Sequence, residues 1–455
     1  MADRAKRRRI NVKNVANGNG PASATSVAIT GGMDPPFLAA KAEDRLNWAG
    51  WCEIESEPVS QFFIALIQAG KLGIAHGLQA LFSVMLREFG VKGVKVQEVF
   101  TMDEEVLAGL NKPVHGLIFL FRWREDDPDK QEPSCPEEVW FANQTNSNAC
   151  ATIALLNIVN NIPSIDLGEN LESFKQFSKD LTPALRGYSI GNFEFARQVH
   201  NSFARKMDMF NIDMALRNDA TAKAQRGGYV GENNGEAGFH FIALVPIGDH
   251  VWKLDGLERQ PQRLGKIGKR DWLDLATPII QEMMMRYASD EEQFVLLAVV
   301  QDPLKTLQPQ LAENIAALDK VNERLNEITP GWREHEAQND ADDNIEDAIQ
   351  GPDAAYGITA DMIGCALINR AVSTKLGSDK AEKIMALRSE LIQEQRMIRS
   401  EIRSEEQTQA EEAEKAASRR HDYGAAIHTW LKMLFRKGEL KPLLEEMDLL
   451  PQGRR

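Results

Sequence analysis

The chain has 455 residues, 43% of them hydrophobic and 26% charged, which is typical of a soluble globular protein with up to three domains. Its 53 Lys and Arg residues against 67 Asp and Glu residues give a net charge of −14, which argues against a general nucleic-acid binder and favours partners with basic surfaces. The chain has four cysteines, Cys52, Cys135, Cys150 and Cys365, and no CxxC pair. This pattern disfavours a disulfide scaffold or a cysteine-rich zinc site and favours a reducing compartment.

The first 45 residues predict a disordered tail, because GNGPASATSVAITGGMDPP is rich in small residues and proline and has no apolar period. A basic cluster, Lys6 to Arg9, lies near its start. This cluster fits a nuclear import signal and a solvated tail about equally well. No apolar core follows it, so we predict no signal peptide.

Strand and helix patterns alternate over residues 46–302. WCEIESEP and GLIFLFRW have strand character, LESFKQFSKDL and FEFARQVHNSFARKM have helical spacing, and FHFIALVPI, HVWKLDG and FVLLAVVQD have strand character again. This alternation predicts one α/β domain that ends near Asp302.

The segment Val59–Gln79, VSQFFIALIQAGKLGIAHGLQ, does not fit this pattern. Its Gln, Lys and His residues interrupt the apolar run, so we reject a membrane hairpin. Two hypotheses remain for the segment. One is a genuine extra helix. The other is an unspliced intron in the gene model, because the end residues Val-Ser and Leu-Gln are compatible with splice donor and acceptor codons.

No strand pattern recurs after Asp302. Within residues 303–375 we predict a helix over 308–328 and then an acidic linker. The linker is indicated by eight acidic residues and no Lys or Arg between Glu334 and Asp353. Residues 376–455 predict a helical extension for partner docking, with an amphipathic helix and a break at Gly438 near its end. A long helix within it, packed on its own chain or on a partner, is indicated by near-heptad spacing of Ile384, Leu387, Leu391, Ile398 and Ile402.

The motifs GxxxxGK[ST], GxGxxG, HExxH and GxSxG are absent from the sequence. A cysteine, a histidine and an aspartate remain as candidates. Cys150 lies where polar residues give way to a periodic apolar stretch, which predicts the first turn of a buried helix with Asn148 as its N-cap. The positive end of a helix favours a thiolate, although a lone cysteine is more often a small buried apolar residue.

His240 lies in FHFIALVP, where strand alternation places it on the face opposite its two Phe neighbours. It is either a core histidine or a catalytic base. Asp255 ends the next strand and taken alone is a turn carboxylate before Gly256. Gln144, six residues before Cys150, is a weak candidate for an oxyanion donor. The order Cys, His, Asp is that of papain-like thiol hydrolases.

These residues and their surroundings resemble the ubiquitin C-terminal hydrolases, the papain-like cysteine deubiquitinase family known as peptidase C12. Between Trp48 and Asp302 the matching pieces are WCEIESEP, KPVHGLIFLFRW, the Gln-x5-Cys motif, RQVHNSFAR, FHFIALVP and LDGLERQP. RRHDYGAAIHTWLKMLFRKGELKPLLEE is similar to the extension of the proteasome-associated family member. The resemblance implies a papain-like α/β fold, with a central, mostly antiparallel sheet flanked by helices, and an all-helical C-terminal extension.

The resemblance also implies a role for each residue. Cys150 is the nucleophile, His240 takes its proton and later gives it to the leaving amine, and Asp255 orients the imidazole. Gln144 helps hold the tetrahedral oxyanion, together with the Cys150 N–H. The reaction is hydrolysis of the amide or isopeptide bond after the C-terminal glycine of ubiquitin through a thioester, which needs no metal and no cofactor.

The implied partners are ubiquitin, its conjugates and a proteasome receptor subunit bound through 376–455, with no nucleic acid and no membrane. The expected setting is ubiquitin recycling in the cytoplasm and nucleus. Residues Arg217–Gly238 fit the family's loop over the active site, and we hypothesise that this loop gates leaving groups. Two alternatives remain open: a catalytically idle ubiquitin-binding adaptor, and a nuclear deubiquitinase that acts on chromatin.

Overall fold

The computed structural model describes residues 41–54, 74–122, 128–206, 208–209, 212, 239–269, 271–288, 294–332, 348–378, 380–421 and 424–442. Several predictions therefore concern segments that lie wholly or largely outside the described residues: the basic tail, residues 59–73 of the insert, the loop Arg217–Gly238 and most of the acidic linker. Within the described ranges, no helix is both long and apolar enough to cross a membrane.

A six-stranded sheet forms the centre of residues 46–302. Its strands are β1 (Val94–Glu98), β2 (Val114–Arg122), β3 (Phe239–Ile247), β4 (His250–Leu254), β5 (Gln262–Lys266) and β6 (Val295–Gln301). They lie in the order β1-β6-β2-β3-β4-β5, and all five neighbouring pairs are antiparallel. The prediction of a mostly antiparallel sheet flanked by helices, followed by a helical extension, is confirmed.

Helices cover both faces of this sheet. They are α1 (Ala42–Asn47), α2 (Ile74–Glu88), α3 (Glu104–Ala108), α4 (Cys150–Val159), α5 (Gly168–Ser178), α6 (Pro183–Gly191), α7 (Glu194–Asn201) and α8 (Trp272–Ala288). Because successive strand residues point to opposite faces, Phe241 and Ala243 of β3 pack in one cluster with α2 and α4. Ile242 and Leu244 pack in a second cluster with α8.

One predicted strand is not a strand. The residues of WCEIESEP that the structure describes, 51–54, have no sheet partner. Their backbone groups bond to side chains instead, because Asn201 accepts a hydrogen bond from the Cys52 N–H and donates one to the Gly50 carbonyl. The apolar residues Trp51, Cys52 and Ile54 are nevertheless buried, which explains their strand-like composition.

The insert runs into a regular helix. Helix α2 begins at Ile74, inside Val59–Gln79, and continues through LFSVMLREFG to Glu88. Leu78 of the insert and Phe82 beyond it are both buried in the core cluster beside α4. The last residues of the insert thus extend the helix that covers the sheet, while the origin of residues 59–79 stays a hypothesis.

Beyond β6 the described chain is helical. Its helices are α9 (Leu304–Ile328), α10 (Ala360–Cys365), α11 (Arg370–Leu376), α12 (Ala381–Arg420) and α13 (Gly424–Lys437). The first half of α12 packs along α9, where Leu387 and Leu391 share a cluster with Val321. All five residues of the near-heptad pattern are buried, so this long helix packs on its own chain.

The second half of α12 lies against α2 and β1 through charged contacts. Glu405 pairs with Lys95 of β1, and Glu412 pairs with Arg87 of α2 at 3.1 Å and accepts a hydrogen bond from Ser83. Burial raises the pKa of Glu412, and the charges of Lys95 and Arg87 offset part of that rise. Helix α12 thereby connects the extension to the sheet.

The Lys95–Glu405 pair is the buried one to test, since only 6% and 11% of the two side chains are exposed. We expect Glu405→Ala to lower the free energy of unfolding by up to about 3–5 kcal/mol, because it removes the carboxylate hydrogen bonded to buried Lys95 and leaves only the charge of Glu412 nearby. A urea titration measures the loss, and Lys95→Met combined with Glu405→Leu should recover most of it.

A matched control is available on the surface of the extension. Lys375 and Glu390 form a pair whose side chains are more than half exposed. Glu390→Ala should therefore change the free energy of unfolding by less than about 1 kcal/mol. Equal losses for Glu405→Ala and Glu390→Ala would show that the buried pair does not stabilise the docked helix.

Candidate active site

His240 and Asp255 form a buried pair at one end of neighbouring strands. His240 is the second residue of β3, and Asp255 directly follows β4. The imidazole Nε2 lies 2.7 Å from Asp255 Oδ1, and each side chain is 4% exposed. Since a carboxylate can only accept, Nε2 carries the proton and the neutral ring has Nδ1 as its basic nitrogen.

Asp255 is held in its charged form. Burial alone raises the pKa of this carboxyl, but the hydrogen bond from His240, the charges of His240 and Lys253, and the Leu257 N–H together outweigh burial. The net result is a pKa below the ordinary value of 3.8. A charged Asp255 fixes the tautomer of His240 and stabilises its imidazolium form.

Cys150 is the first residue of α4 and is buried, as predicted, but the predicted cap is wrong. Ala149 is the N-cap residue, and Asn148 has a left-handed φ of 63°. The Asn148 amide instead donates to the Trp51 carbonyl at 3.2 Å. The side chain of Ala149 cannot accept a hydrogen bond from the N–H groups of the first turn. The positive end of α4 is therefore available to an anion at Cys150.

Gln144 is joined to the turn after Asp255. Its N–H donates to the Gly256 carbonyl at 2.8 Å. A methyl group added at Gly256 would lie 3.0 Å from Ile153 and 3.1 Å from Gln144, so this glycine permits a close approach of the turn to both. The Gln144 Oε1 atom is buried and has no hydrogen-bond partner among the described residues.

These contacts bring the four predicted site residues to one region. His240 and Asp255 are hydrogen bonded, and Gln144 and the first turn of α4 meet at Gly256. Cys150 begins the helical turn that contains Ile153, and a methyl group at Gly256, next to Asp255, would lie 3.0 Å from Ile153. Within the described ranges, no three His, Cys, Asp or Glu side chains are grouped to hold a metal ion.

His200 in RQVHNSFAR has a structural role that was not predicted from the sequence. Its Nε2 lies 2.6 Å from the Cys52 carbonyl and must donate, so its Nδ1 accepts from the Thr152 hydroxyl at 2.8 Å. Thr152 lies in the first turn of α4. The sequence signal for this role is the adjacent pair His200 and Asn201 in an amphipathic helix. Both side chains are buried, and buried polar side chains need hydrogen-bond partners.

Residues 78–285 match the peptidase C12 family described as "Ubiquitin carboxyl-terminal hydrolase, family 1". The chain is 35% identical over 281 residues to ubiquitin carboxyl-terminal hydrolase ubh-4 of Caenorhabditis elegans, across 61% of this chain and 75% of that protein. It is 34% identical over 282 residues to ubiquitin carboxyl-terminal hydrolase isozyme L5 of Dictyostelium discoideum, across 62% and 71%. Against Trichinella spiralis UCH37 bound to ubiquitin vinyl methyl ester, the identity is 32% across 57% of this chain and 86% of that chain, with a TM-score of 0.40.

The buried His200 predicts an acid-sensitive fold. Burial lowers its pKa from 6.5 to about 4, so the unfolded chain binds this proton at higher pH than the folded chain. The stability that depends on neutral His200 is complete above pH 6.5 and is lost as pH falls toward 4. We expect this loss to be about 3 kcal/mol.

His200→Gln isolates this effect, because glutamine can also donate to the Cys52 carbonyl and accept from Thr152 but does not titrate. The free energy of unfolding of each protein is measured by urea titration from pH 7.5 to 4. The wild type should lose about 3 kcal/mol more than the variant. Parallel pH profiles would contradict the assignment.

Proposed function

Since the chain belongs to the ubiquitin carboxyl-terminal hydrolase family 1 and is a thiol-dependent deubiquitinating hydrolase, we propose that Cys150, His240, Asp255 and Gln144 carry out its reaction. The substrate bond is the amide or isopeptide bond after the C-terminal glycine of ubiquitin. The observation that carries the assignment is the buried hydrogen bond between His240 and Asp255, which leaves Nδ1 to act as the base.

In the first half of the proposed reaction, His240 Nδ1 takes the proton of the Cys150 thiol. The thiolate attacks the glycine carbonyl carbon, and the charge moves to the carbonyl oxygen. Gln144 and the Cys150 N–H stabilise this oxyanion. When the intermediate collapses, the C–N bond breaks and His240 gives its proton to the leaving amine, so that ubiquitin remains bound to Cys150 as a thioester.

In the second half, His240 takes a proton from water, and the resulting hydroxide attacks the thioester carbonyl. The C–S bond breaks, the Cys150 thiolate takes the proton from His240, and the new carboxyl group of ubiquitin loses its proton to solvent as ubiquitin leaves. Charged Asp255 supports both halves because it stabilises each imidazolium that forms. No step requires a metal or a redox cofactor.

The alternative function is an idle ubiquitin-binding adaptor. An adaptor has no need for a buried, charged carboxylate bonded to a buried histidine, because this arrangement costs desolvation free energy. The retained pair, together with Cys150 at an uncapped helix start, favours hydrolysis.

Covalent labelling tests the proposed nucleophile. Ubiquitin bearing a C-terminal electrophile should attach to the wild-type chain and to Cys365→Ala, which lacks an exposed thiol, but not to Cys150→Ala. Intact mass measures the adduct. Labelling that persists in Cys150→Ala would overturn the assignment of the nucleophile, and loss of labelling in Cys365→Ala would do the same.

We also propose that helix α13 docks the enzyme on a receptor subunit of the proteasome, for ubiquitin recycling in the cytoplasm and nucleus. Helix α13 exposes apolar side chains at Leu431, Met433 and Phe435, the last of them 73% exposed. Its last turn carries Arg436 and Lys437, a basic end on an acidic chain. Exposed apolar residues beside a basic end fit a partner with an apolar groove and an acidic rim.

Phe435→Ala should weaken binding to purified proteasomes at least about 10-fold in co-sedimentation, because a central aromatic side chain dominates a small interface. Hydrolysis of ubiquitin bearing a C-terminal aminocoumarin should stay unchanged. Met397→Ala is the matched control, since Met397 is a 64% exposed apolar residue of α12. Equal binding by both variants would exclude docking through α13.

A further inference from the structure

We infer that Asn157 and Asn161 are positioning residues that set the register of Gln144 against Cys150, an inference that rests on the proposed function. Residues 139–145, which contain Gln144, belong to no strand or helix. Nevertheless Val139, Trp140, Phe141 and Ala142 are buried. Buried backbone groups outside a sheet need other partners, and here side chains supply them.

The partners come from the helix that begins at Cys150. Asn157 Oδ1 accepts from the Ala142 N–H at 2.9 Å, and its Nδ2 donates to the Ala142 carbonyl at 3.3 Å. Asn161, in the turn after α4, does the same for Trp140, with distances of 2.8 and 2.7 Å. Each amide thus bonds both polar groups of one residue, as a neighbouring strand would.

The spacing of these contacts matches the two kinds of backbone. Four residues along a helix rise about 6 Å, and two residues of an extended segment span about 6.6 Å. The pairs Asn161–Trp140 and Asn157–Ala142 therefore form one continuous register in which the chains run in opposite directions. The next step of this register places Gln144 beside Ile153, and Gly256 contacts both of these residues.

Cys150, the proposed nucleophile, lies on the same face of α4 as Asn157. At about 100° per residue, position 157 lies about 20° from position 150 around the helix axis. Cys150 and Asn157 therefore share one face of α4, Asn161 follows in the turn at its end, and the segment with Gln144 lies along this side. The two amides thus bond the segment that contains Gln144 to the helix that carries the nucleophile, in addition to the bond between the Gln144 N–H and the Gly256 carbonyl.

The opposite side of the segment is also enclosed. Arg186 of α6 donates to the carbonyls of Val139 and Phe141, at 3.4 and 3.2 Å. A methyl group at Gly187 would lie 1.9 Å from the Asn143 carbonyl oxygen, so α6 presses directly on the segment. Loss of the Asn157 amide leaves the buried Ala142 N–H and carbonyl without these bonds, and we expect the segment to move until they find other partners, which displaces Gln144 from the oxyanion.

The test is the kinetics of ubiquitin-aminocoumarin hydrolysis by the full chain. We expect Asn157→Ala to lower kcat about 10- to 100-fold and to change KM less than about 2-fold, because Gln144 acts on charge that develops only in the transition state. In a chain that carries Gln144→Ala, the same substitution should lower kcat less than about 3-fold, because the group that it positions is gone.

Asn160→Ala is the matched control. Asn160 is buried near the same helix end, but its amide donates to the Leu156 carbonyl and not to the segment. It should lower kcat less than about 3-fold. If Asn157→Ala fails to fold, Asn161→Ala makes the same test at Trp140.

Two results would overturn the inference. One is equal kcat for the Asn157 and Asn160 variants, and the other is a loss of kcat that is the same with and without Gln144. Failure of the proposed function looks different, because then the wild-type chain itself neither hydrolyses the substrate nor becomes labelled at Cys150.

Discussion

The arrangement around α4 depends on one constraint, which is that buried backbone groups must be hydrogen bonded even where no strand is available. Two irregular segments, 50–54 and 139–144, lie close to this helix and outside the sheet. The first bonds to His200, Asn201 and Asn148, and the second to Asn157 and Asn161. A few polar side chains thus hold the surroundings of Cys150 in place, where an apolar contact would not specify the register.

The two buried histidines show how partner chemistry separates structural from catalytic roles. His200 bonds a carbonyl and a hydroxyl, and burial lowers its pKa to about 4, so it stays neutral and can only hold structure. His240 bonds a charged carboxylate, which stabilises the imidazolium that acid–base chemistry requires. The two histidines differ in the hydrogen-bond partner of Nε2, which is a neutral carbonyl for His200 and a carboxylate for His240.

The extension is joined to the sheet by a different kind of interface. Along α9, helix α12 packs apolar residues, whereas against α2 and β1 it packs Glu405 and Glu412 opposite Lys95 and Arg87. Buried ion pairs contribute modest net stability but strongly disfavour any register that leaves a charge unpaired. The position of α12 along the sheet is therefore well specified, while α13 beyond it exposes its apolar residues.

The amino-acid sequence was enough to predict the α/β sheet and the helical extension, and it named the four candidate site residues. Periodicity is local, so it identified most strands and the long buried helix. The Gln-x5-Cys spacing and the order Cys, His, Asp are also visible along the chain. Their family resemblance pointed to the same region that the structure builds from Gln144, Cys150, His240 and Asp255.

How that region is held together became visible only in the folded chain. It made residues 51–54 an irregular segment, replaced Asn148 by Ala149 as the N-cap, and assigned the basic nitrogen of His240 to Nδ1. It also gave Asn157, Asn161 and His200 their partners. Most of these features are hydrogen bonds to groups that are not neighbours in the chain. Which groups need such a partner depends on which ones the sheet leaves unpaired, and that becomes defined only when the helices pack on the sheet.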